Sequence, residues 1–239
     1  MSDLLPVSLI EKYIAENSLV VDDQLLPRLQ EYTERLLDWN ERINLTAITE
    51  RTEIAVKHFI DSLSILKYVE LKQGAKIIDV GTGAGFPGMV LKIARPDLDV
   101  TLLDGHGKRF LFLEELMNTI DLPVTLLHGR AEEVSKKAEF RERFDLVTAR
   151  AVARMNTLAE YCLPFAAVGG TFVAMKGPTG EEELKEAERA IGFLGGKTER
   201  SLSEALPDGS ERCLILVKKL SQTPIKYPRI SAKISKQPL

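Results

Sequence analysis

Residues 77–88 read Ile77-Ile78-Asp79-Val80-Gly81-Thr82-Gly83-Ala84-Gly85-Phe86-Pro87-Gly88. A β-branched apolar run breaks into alternating glycines, and Pro87 suits the first turn of a following helix. A strand that ends in such a loop and opens a helix is the setting in which a backbone receives a nucleotide. Glycine has no Cβ, so the chain can turn sharply and a ligand can approach the peptide closely. Three alternating glycines are more than a tight turn needs.

Outward from this loop, short apolar runs alternate with helical patterns. Strands are predicted at 76–80, 99–103, 124–128, 144–149, 171–175 and 213–217, with a weaker one near 197–203. Helices are predicted at about 88–94, 107–120, 154–166 and 181–194. This alternation predicts a Rossmann-like α/β fold, a mostly parallel seven-stranded sheet with helices on both faces. The residues before Gly74 read as helices. Leu25, Leu29, Tyr32 and Leu36 recur at helical spacing, and Thr52 is placed to cap a second helix carrying Ile54, Phe59, Leu63 and Leu66. The expected division is an N-terminal helical extension (1–72), a ligand-binding domain (73–220) and a basic tail (221–239). With three prolines and no periodicity, the tail reads as extended.

The 239 residues suffice for a substantial core without staples. No apolar run approaches the roughly 18–20 residues of a membrane span, and Met1–Pro6 lacks a basic leader, so a cytosolic protein is expected. Cys162 and Cys213 suggest neither a disulfide framework nor a zinc site, and His58, His106 and His128 show no metal-ligand spacing. No metal is expected. The net charge of −3 divides into about −10 through Glu211 and +7 beyond it. A basic tail on an acidic body suits a polyanion such as nucleic acid, or serves solubility alone.

Two cofactors compete for the loop. Counted from Gly81, a dinucleotide GxGxxG fails, because its sixth position is Phe86. A formal match at Gly83, Gly85 and Gly88 starts two residues late and contains a proline. The pattern acid-x-GxGxG fits fully from Asp79 to Gly85 and resembles motif I of Rossmann-like methyltransferases, which take S-adenosylmethionine. Asp104 ends the next strand, 23 residues after Gly81. An acid there can accept both ribose hydroxyls of an adenosine. The turn Gly129-Arg130-Ala131-Glu132 ends the third strand, where such folds face the adenine.

Further segments carry a more specific likeness. They are Trp39-Asn40 with Ile43-Asn44-Leu45-Thr46, His58-Phe59 with Asp61-Ser62, the loop ending Gly85-Phe86-Pro87-Gly88, His128 to Glu132, Thr148-Ala149-Arg150-Ala151-Val152, Lys176-Gly177, and Thr223 to Arg229. Over nearly its whole length the chain resembles the bacterial 16S ribosomal RNA guanine-N7 methyltransferases, also called glucose-inhibited division protein B. The resemblance implies transfer from S-adenosylmethionine to N7 of one guanine (guanine 527, in the 530 loop), in free 16S rRNA or in a small-subunit particle. It implies cofactor contacts at Gly81, Phe86, Ala131 and Glu132, and places Arg150 where cofactor and RNA meet. Gly83 and Asp104 are added from the loop and ribose arguments above. Gly105-His106 departs from the small and apolar residues expected after Asp104. A monomer is expected.

The residues also bear on the chemistry. Methylating a pyrimidine carbon needs a cysteine nucleophile, but Cys162 and Cys213 both sit in apolar, structural settings. Methylating an exocyclic amine commonly uses an Asn/Asp-Pro-Pro-aromatic motif, and Thr148-Ala149-Arg150-Ala151-Val152 stands in its place. Guanine N7 needs neither device, since its lone pair is free at neutral pH. Catalysis then reduces to holding N7 against the methyl, and no general base is expected. Arg130, Lys176, Lys226 and Arg229 are the candidate RNA contacts, with Arg150 positioning the reactants. Arg154 reads as a solvated helix position. His58, Asp61 and Ser62 share one helical face, a polar surface more readily than an RNA-facing wall. Two other readings stay open, a nicotinamide-dependent oxidoreductase and a non-catalytic RNA-binding protein.

Overall fold

The β-branched runs assemble into one sheet in the computed structural model, which describes residues 4–239. Residues 1–3, where the expected N-terminal extension and the leader reading begin, lie outside the described residues. Strands β1 (Lys76–Val80), β2 (Asp99–Asp104), β3 (Thr125–His128), β4 (Phe144–Arg150) and β5 (Ala166–Lys176) run parallel. Strands β6 (Gly196–Ala205) and β7 (Glu211–Lys219) form an antiparallel hairpin, giving the order β3-β2-β1-β4-β5-β7-β6. This is the Rossmann-like fold expected. The order reverses beside β1, and ligands of such sheets sit at that switch point, beyond the carboxyl ends of the strands.

Strand periodicity divides the core in two. Ile77 points to one face and Ile78 to the other, and both are fully buried. On the first face lie α1 (Val7–Glu16), α2 (Leu25–Asn40), α5 (Gly88–Ala94) and α6 (Lys108–Thr119). There Leu25, Leu29, Tyr32 and Leu36 share a single core with Ile77, Leu102 and Leu146. The N-terminal helices therefore supply one layer of the fold. On the second face α7 (Ala131–Val134), α8 (Met155–Cys162) and α9 (Gly180–Phe193) pack with Ile78, Val80, Val147 and Ala149.

Three local expectations are corrected. Glu50, not Thr52, caps the helix that follows α2, its carboxylate accepting from Glu53 N–H at 2.8 Å. That helix is also irregular. It runs as α3 (Arg51–Ile54), a π-helical turn (Ala55–Ile60), α4 (Asp61–Leu63) and a 3₁₀ turn (Ser64–Lys67). From Ile54 to Ile65 every residue but Lys57 is buried, His58, Asp61 and Ser62 included, so this helix has no broad polar surface. The helix predicted to reach residue 166 ends at Cys162, because β5 begins at Ala166.

The tail is also corrected. It folds back onto the body and ends in α10 (Ser231–Lys236), with Thr223 and Ile234 buried. Arg229 forms a bidentate pair with the fully buried Glu160, at 2.6 and 2.9 Å, and also donates to Gln237 O. Arg141 donates to the Thr223 and Tyr227 carbonyls at 2.7 and 3.0 Å. Lys219 is fully buried, donates to Leu163 O and Thr223 Oγ1, and holds Glu142 at 3.3 Å. Burial depresses its pKa to about 8, against the attraction of Glu142. Most of these bonds join residues far apart in sequence, which is why periodicity did not show them.

Candidate active site

The glycine loop is held by the acid that precedes it. Asp79 is fully buried and accepts from Thr82 Oγ1 at 2.6 Å, Gly88 N at 3.0 Å and Thr148 Oγ1 at 2.9 Å. Burial raises its pKa against these bonds. Gly81, Gly83 and Gly85 all take positive φ, so each needs glycine. Their surroundings differ, however. A Cβ on Gly85 would lie 2.5 Å from the Tyr32 hydroxyl, a packing constraint inside the core. A Cβ on Gly83 would meet nothing closer than Arg109, 4.0 Å away. Gly83 faces open space, as a ligand cradle requires.

Asp104 is bonded to this glycine from the end of β2. One oxygen accepts from His106 N–H at 2.8 Å, and the other from Gly83 N–H and Arg109, both at 2.9 Å. Burial pushes its pKa up, but these donors outweigh burial and hold the carboxyl below its ordinary range. The departure at Gly105-His106 leaves His106 exposed, its Nδ1 3.2 Å from Asp104. Around Asp104 lies a cleft of about 310 Å³ lined by Gly81, Arg130, Ala131, Glu132, Val152 and Ser235, among others. Ser235 comes from the folded tail.

A second cleft, of about 370 Å³, opens at the ends of β4 and β5. Its walls include His58, Asp61, Arg150, Lys176, Glu183 and Arg212. Asp61 holds two arginines, accepting from Arg150 Nη1 at 2.9 Å and Arg212 Nε at 3.1 Å. Arg150 also donates to Lys57 O at 3.0 Å and contacts His58 Nδ1 at 3.3 Å. Because the guanidinium can only donate, His58 Nδ1 accepts, which leaves Nε2–H for Thr46 Oγ1 at 3.0 Å. Burial, then the charge of Arg150, lower the His58 pKa to about 3, so the ring is neutral. Its face stacks on Phe86, centroids 4.3 Å apart, and Tyr32 also stacks on Phe86, at 5.1 Å. At the other wall Lys176 Nζ donates to Glu183 Oε2 and Ala153 O, both at 2.7 Å. Burial works against the Glu183 carboxylate, but Lys176 and the Met155 N–H outweigh it and lower its pKa.

The two clefts share the segment that runs out of the end of β4. Arg150 and Ala151 line the second, while Val152 and Ala153 line the first. Ala151 has φ +57°, an unusual conformation that sharpens this divide.

The predicted site residues thus separate. Gly81, Asp104, Ala131, Glu132 and Arg130 come together at the first cleft, and Gly83 adjoins it through its bond to Asp104. Arg150 and Lys176 line the second. Phe86 lines neither; its ring stacks with Tyr32 and His58, with the Arg150 guanidinium 5.1 Å from its centroid. Arg229, expected on RNA, has its guanidinium committed to Glu160, which corrects that expectation. Lys226 stays exposed beside Tyr227, and Arg154 is paired with Glu186 in an exposed bridge. Cys162 and Cys213 are buried, the Cys162 thiol pushed up by burial. The face read as polar surface, His58 with Asp61, is a wall of the second cleft. Glu183 and Arg212 were not legible in the sequence, having no motif around them.

The model of the rRNA small subunit methyltransferase G family matches residues 25–208. A protein of that name from Lachnoclostridium phytofermentans is 50% identical over 216 residues, 90% of this chain and 89% of its own. Another from Moorella thermoacetica is 45% identical, covering 97% of each chain. Among solved structures, a SAM-dependent methyltransferase from Aquifex aeolicus aligns with a TM-score of 0.55 at 18% identity, covering 77% of this chain and 98% of its own. A precorrin-6y C5,15-methyltransferase from Geobacter metallireducens aligns at 0.51 and 16% identity, covering 74% and 92%. At these identities the structural likeness speaks for the fold.

Proposed function

Because the chain belongs to the rRNA small subunit methyltransferase G family, we propose that it transfers a methyl group from S-adenosylmethionine to N7 of a single guanine, guanine 527, in 16S rRNA or an assembling small subunit. The observation that carries this reading is the pair of adjoining clefts divided by residues 150–153. A transferase of this kind must hold two substrates against one another, and the two clefts meet at one short segment.

The first cleft fits S-adenosylmethionine. Its size falls at the lower end for small-molecule sites, Gly81 lines it, and Gly83, bonded to Asp104 beside it, leaves open space where a Cβ would stand. Asp104 is the acceptor for ribose hydroxyls, with the 129–132 turn beside the adenine. Bound there, S-adenosylmethionine supplies an electrophilic methyl group on its sulfonium. The protein's work is then positional. Arg150 is braced by Asp61, Lys57 O and His58, so it presents a fixed wall to the incoming base. The N7 lone pair is already free, so the site has no proton to remove.

Replacing the target guanosine with 7-deazaguanosine in small-subunit rRNA tests the acceptor. Methyl transfer should vanish while RNA binding persists. Undiminished transfer to the deaza base would move the acceptor elsewhere.

A further inference from the structure

Attack by N7 leaves a question of selectivity, because adenine and guanine both carry an N7 lone pair. Nucleophilicity alone does not choose between them; the choice has to be made by contacts to the rest of the base. Enzymes that act on an extruded base commonly read its Watson–Crick edge. On guanine that edge runs O6 acceptor, N1–H donor, N2–H donor. On adenine it runs N6–H donor, N1 acceptor. A guanine reader needs a donor next to an acceptor, in that order.

We propose that the Lys176–Glu183 pair is this reader, and that Glu183 is the residue that selects guanine. The inference rests on the assignment of the second cleft to the target base. Two carboxylates line that cleft, Asp61 and Glu183. Asp61 is fully engaged, with Arg150 on one oxygen and Arg212 on the other. Glu183 is differently occupied. Its Oε2 takes Lys176 Nζ at 2.7 Å and Met155 N–H at 2.9 Å, whereas Oε1 is met, among the described residues, by the Thr179 hydroxyl at a long 3.4 Å. A carboxylate accepts about four hydrogen bonds, so Oε1 retains capacity toward the cleft. Lys176 uses two of its three protons, on Ala153 O and Glu183, and keeps one.

The pair therefore offers N–H next to O, held in one orientation because each partner is anchored to backbone. Lys176 donates to guanine O6, and Glu183 Oε1 accepts from N1–H, the donor that adenine lacks. Adenine would set its N6–H₂ against the ammonium and its N1 lone pair against the carboxylate, leaving both unpaired or repelled. A polar site left unpaired in this way rejects the wrong ligand strongly. The same anchoring explains why an ion pair stands on the wall of a cleft. It fixes two side chains that would otherwise rotate, one at the end of β5 and one in the first turn of α9.

The test uses small-subunit rRNA, reconstituted into subunits where needed, with the target nucleotide guanosine, inosine, 1-methylguanosine or adenosine. The native protein should accept inosine within about tenfold of guanosine, since O6 and N1–H are both kept. With 1-methylguanosine and adenosine, kcat/KM should fall by roughly a hundredfold or more. Glu183→Gln keeps an oxygen for Lys176 and the Met155 N–H but adds an N–H₂ that suits adenine N1. It should lower kcat/KM for guanosine and narrow the guanosine-to-adenosine ratio by about tenfold or more. Equal transfer to 1-methylguanosine and guanosine by the native protein overturns the proposal without relying on any variant. So does an unchanged ratio in Glu183→Gln. The N7 reading fails independently, by methylation of 7-deazaguanosine.

Discussion

The two clefts are built differently. The first is built on consecutive strand ends, with Gly81 after β1, Asp104 closing β2 and residues 129–132 after β3. The second is made by side chains from scattered places, namely His58 and Asp61 on the irregular helix, Arg150 on β4, Lys176 on β5, Glu183 on α9 and Arg212 on β7. Backbone recognition writes itself into sequence as glycines at fixed spacing, because only glycine tolerates those angles and that closeness. Side-chain recognition needs only that topology bring the groups together, so its residues carry no local pattern. A fault in the first cleft should abolish cofactor binding, and a fault in the second should spare it.

The largest effect expected from breaking this contrast is at Gly83. Gly83→Val puts a β-branched side chain at φ +61° into the open cradle. S-adenosylmethionine affinity, measured by titration calorimetry, should drop more than about a hundredfold. A folded variant that binds normally would take the cofactor off Gly83. Next comes the second cleft. Arg150→Ala should slow single-turnover methyl transfer by about tenfold or more, with cofactor affinity changed less than about threefold. If cofactor affinity falls in step with turnover, the two clefts are one functional unit and the contrast fails.

A smaller effect concerns pH. The folded-state pKa of His58 lies at about 3, below the ordinary value of 6.5. The unfolded chain therefore takes up a proton that the folded chain refuses. The stability contributed by neutral His58 is complete above pH 6.5 and declines as pH falls from there toward 3. His58→Phe, which keeps a ring on Phe86, should flatten the decline in melting temperature between about pH 6.5 and 4. An unaltered pH profile would mean that His58 is not buried neutral against Arg150.

The smallest effect is at the tail, where exposed charge and folded structure must be separated. Truncation at Ser221 would strip Arg229 from buried Glu160 and Ser235 from the first cleft, and so would disturb folding and cofactor binding together. Neutralising exposed Lys226, Lys233 and Lys236 with Gln leaves those contacts in place. The log-log salt dependence of rRNA binding should flatten by about 0.7–0.9 for each phosphate that a lysine no longer neutralises, with turnover at saturating RNA preserved. A full salt slope in the triple variant would take the tail lysines off the RNA.

Local sequence was enough to read the sheet and most of the first cleft. Strand periodicity and length specify β-structure locally, and the acid-x-GxGxG loop, Asp104 and Ala131-Glu132 each lie at the end of a legible strand. Even there, the role of Asp79 as the buried brace of the loop, and of Gly85 as a packing position against Tyr32, needed the fold. The second cleft, the withdrawal of Phe86 into its stack with Tyr32 and His58, and the docking of the tail were settled only by folding. His58 and Asp61 sit at helical spacing that fits a surface as well as a site, and the packing that buries their helix on nearly every side is set by the rest of the fold. Arg229 and Glu160 are 69 residues apart, and Asp61 and Arg212 are 151 apart. Such pairs form only after closure entropy has been met by the rest of the fold, so their partners are set by topology and not by neighbours in sequence.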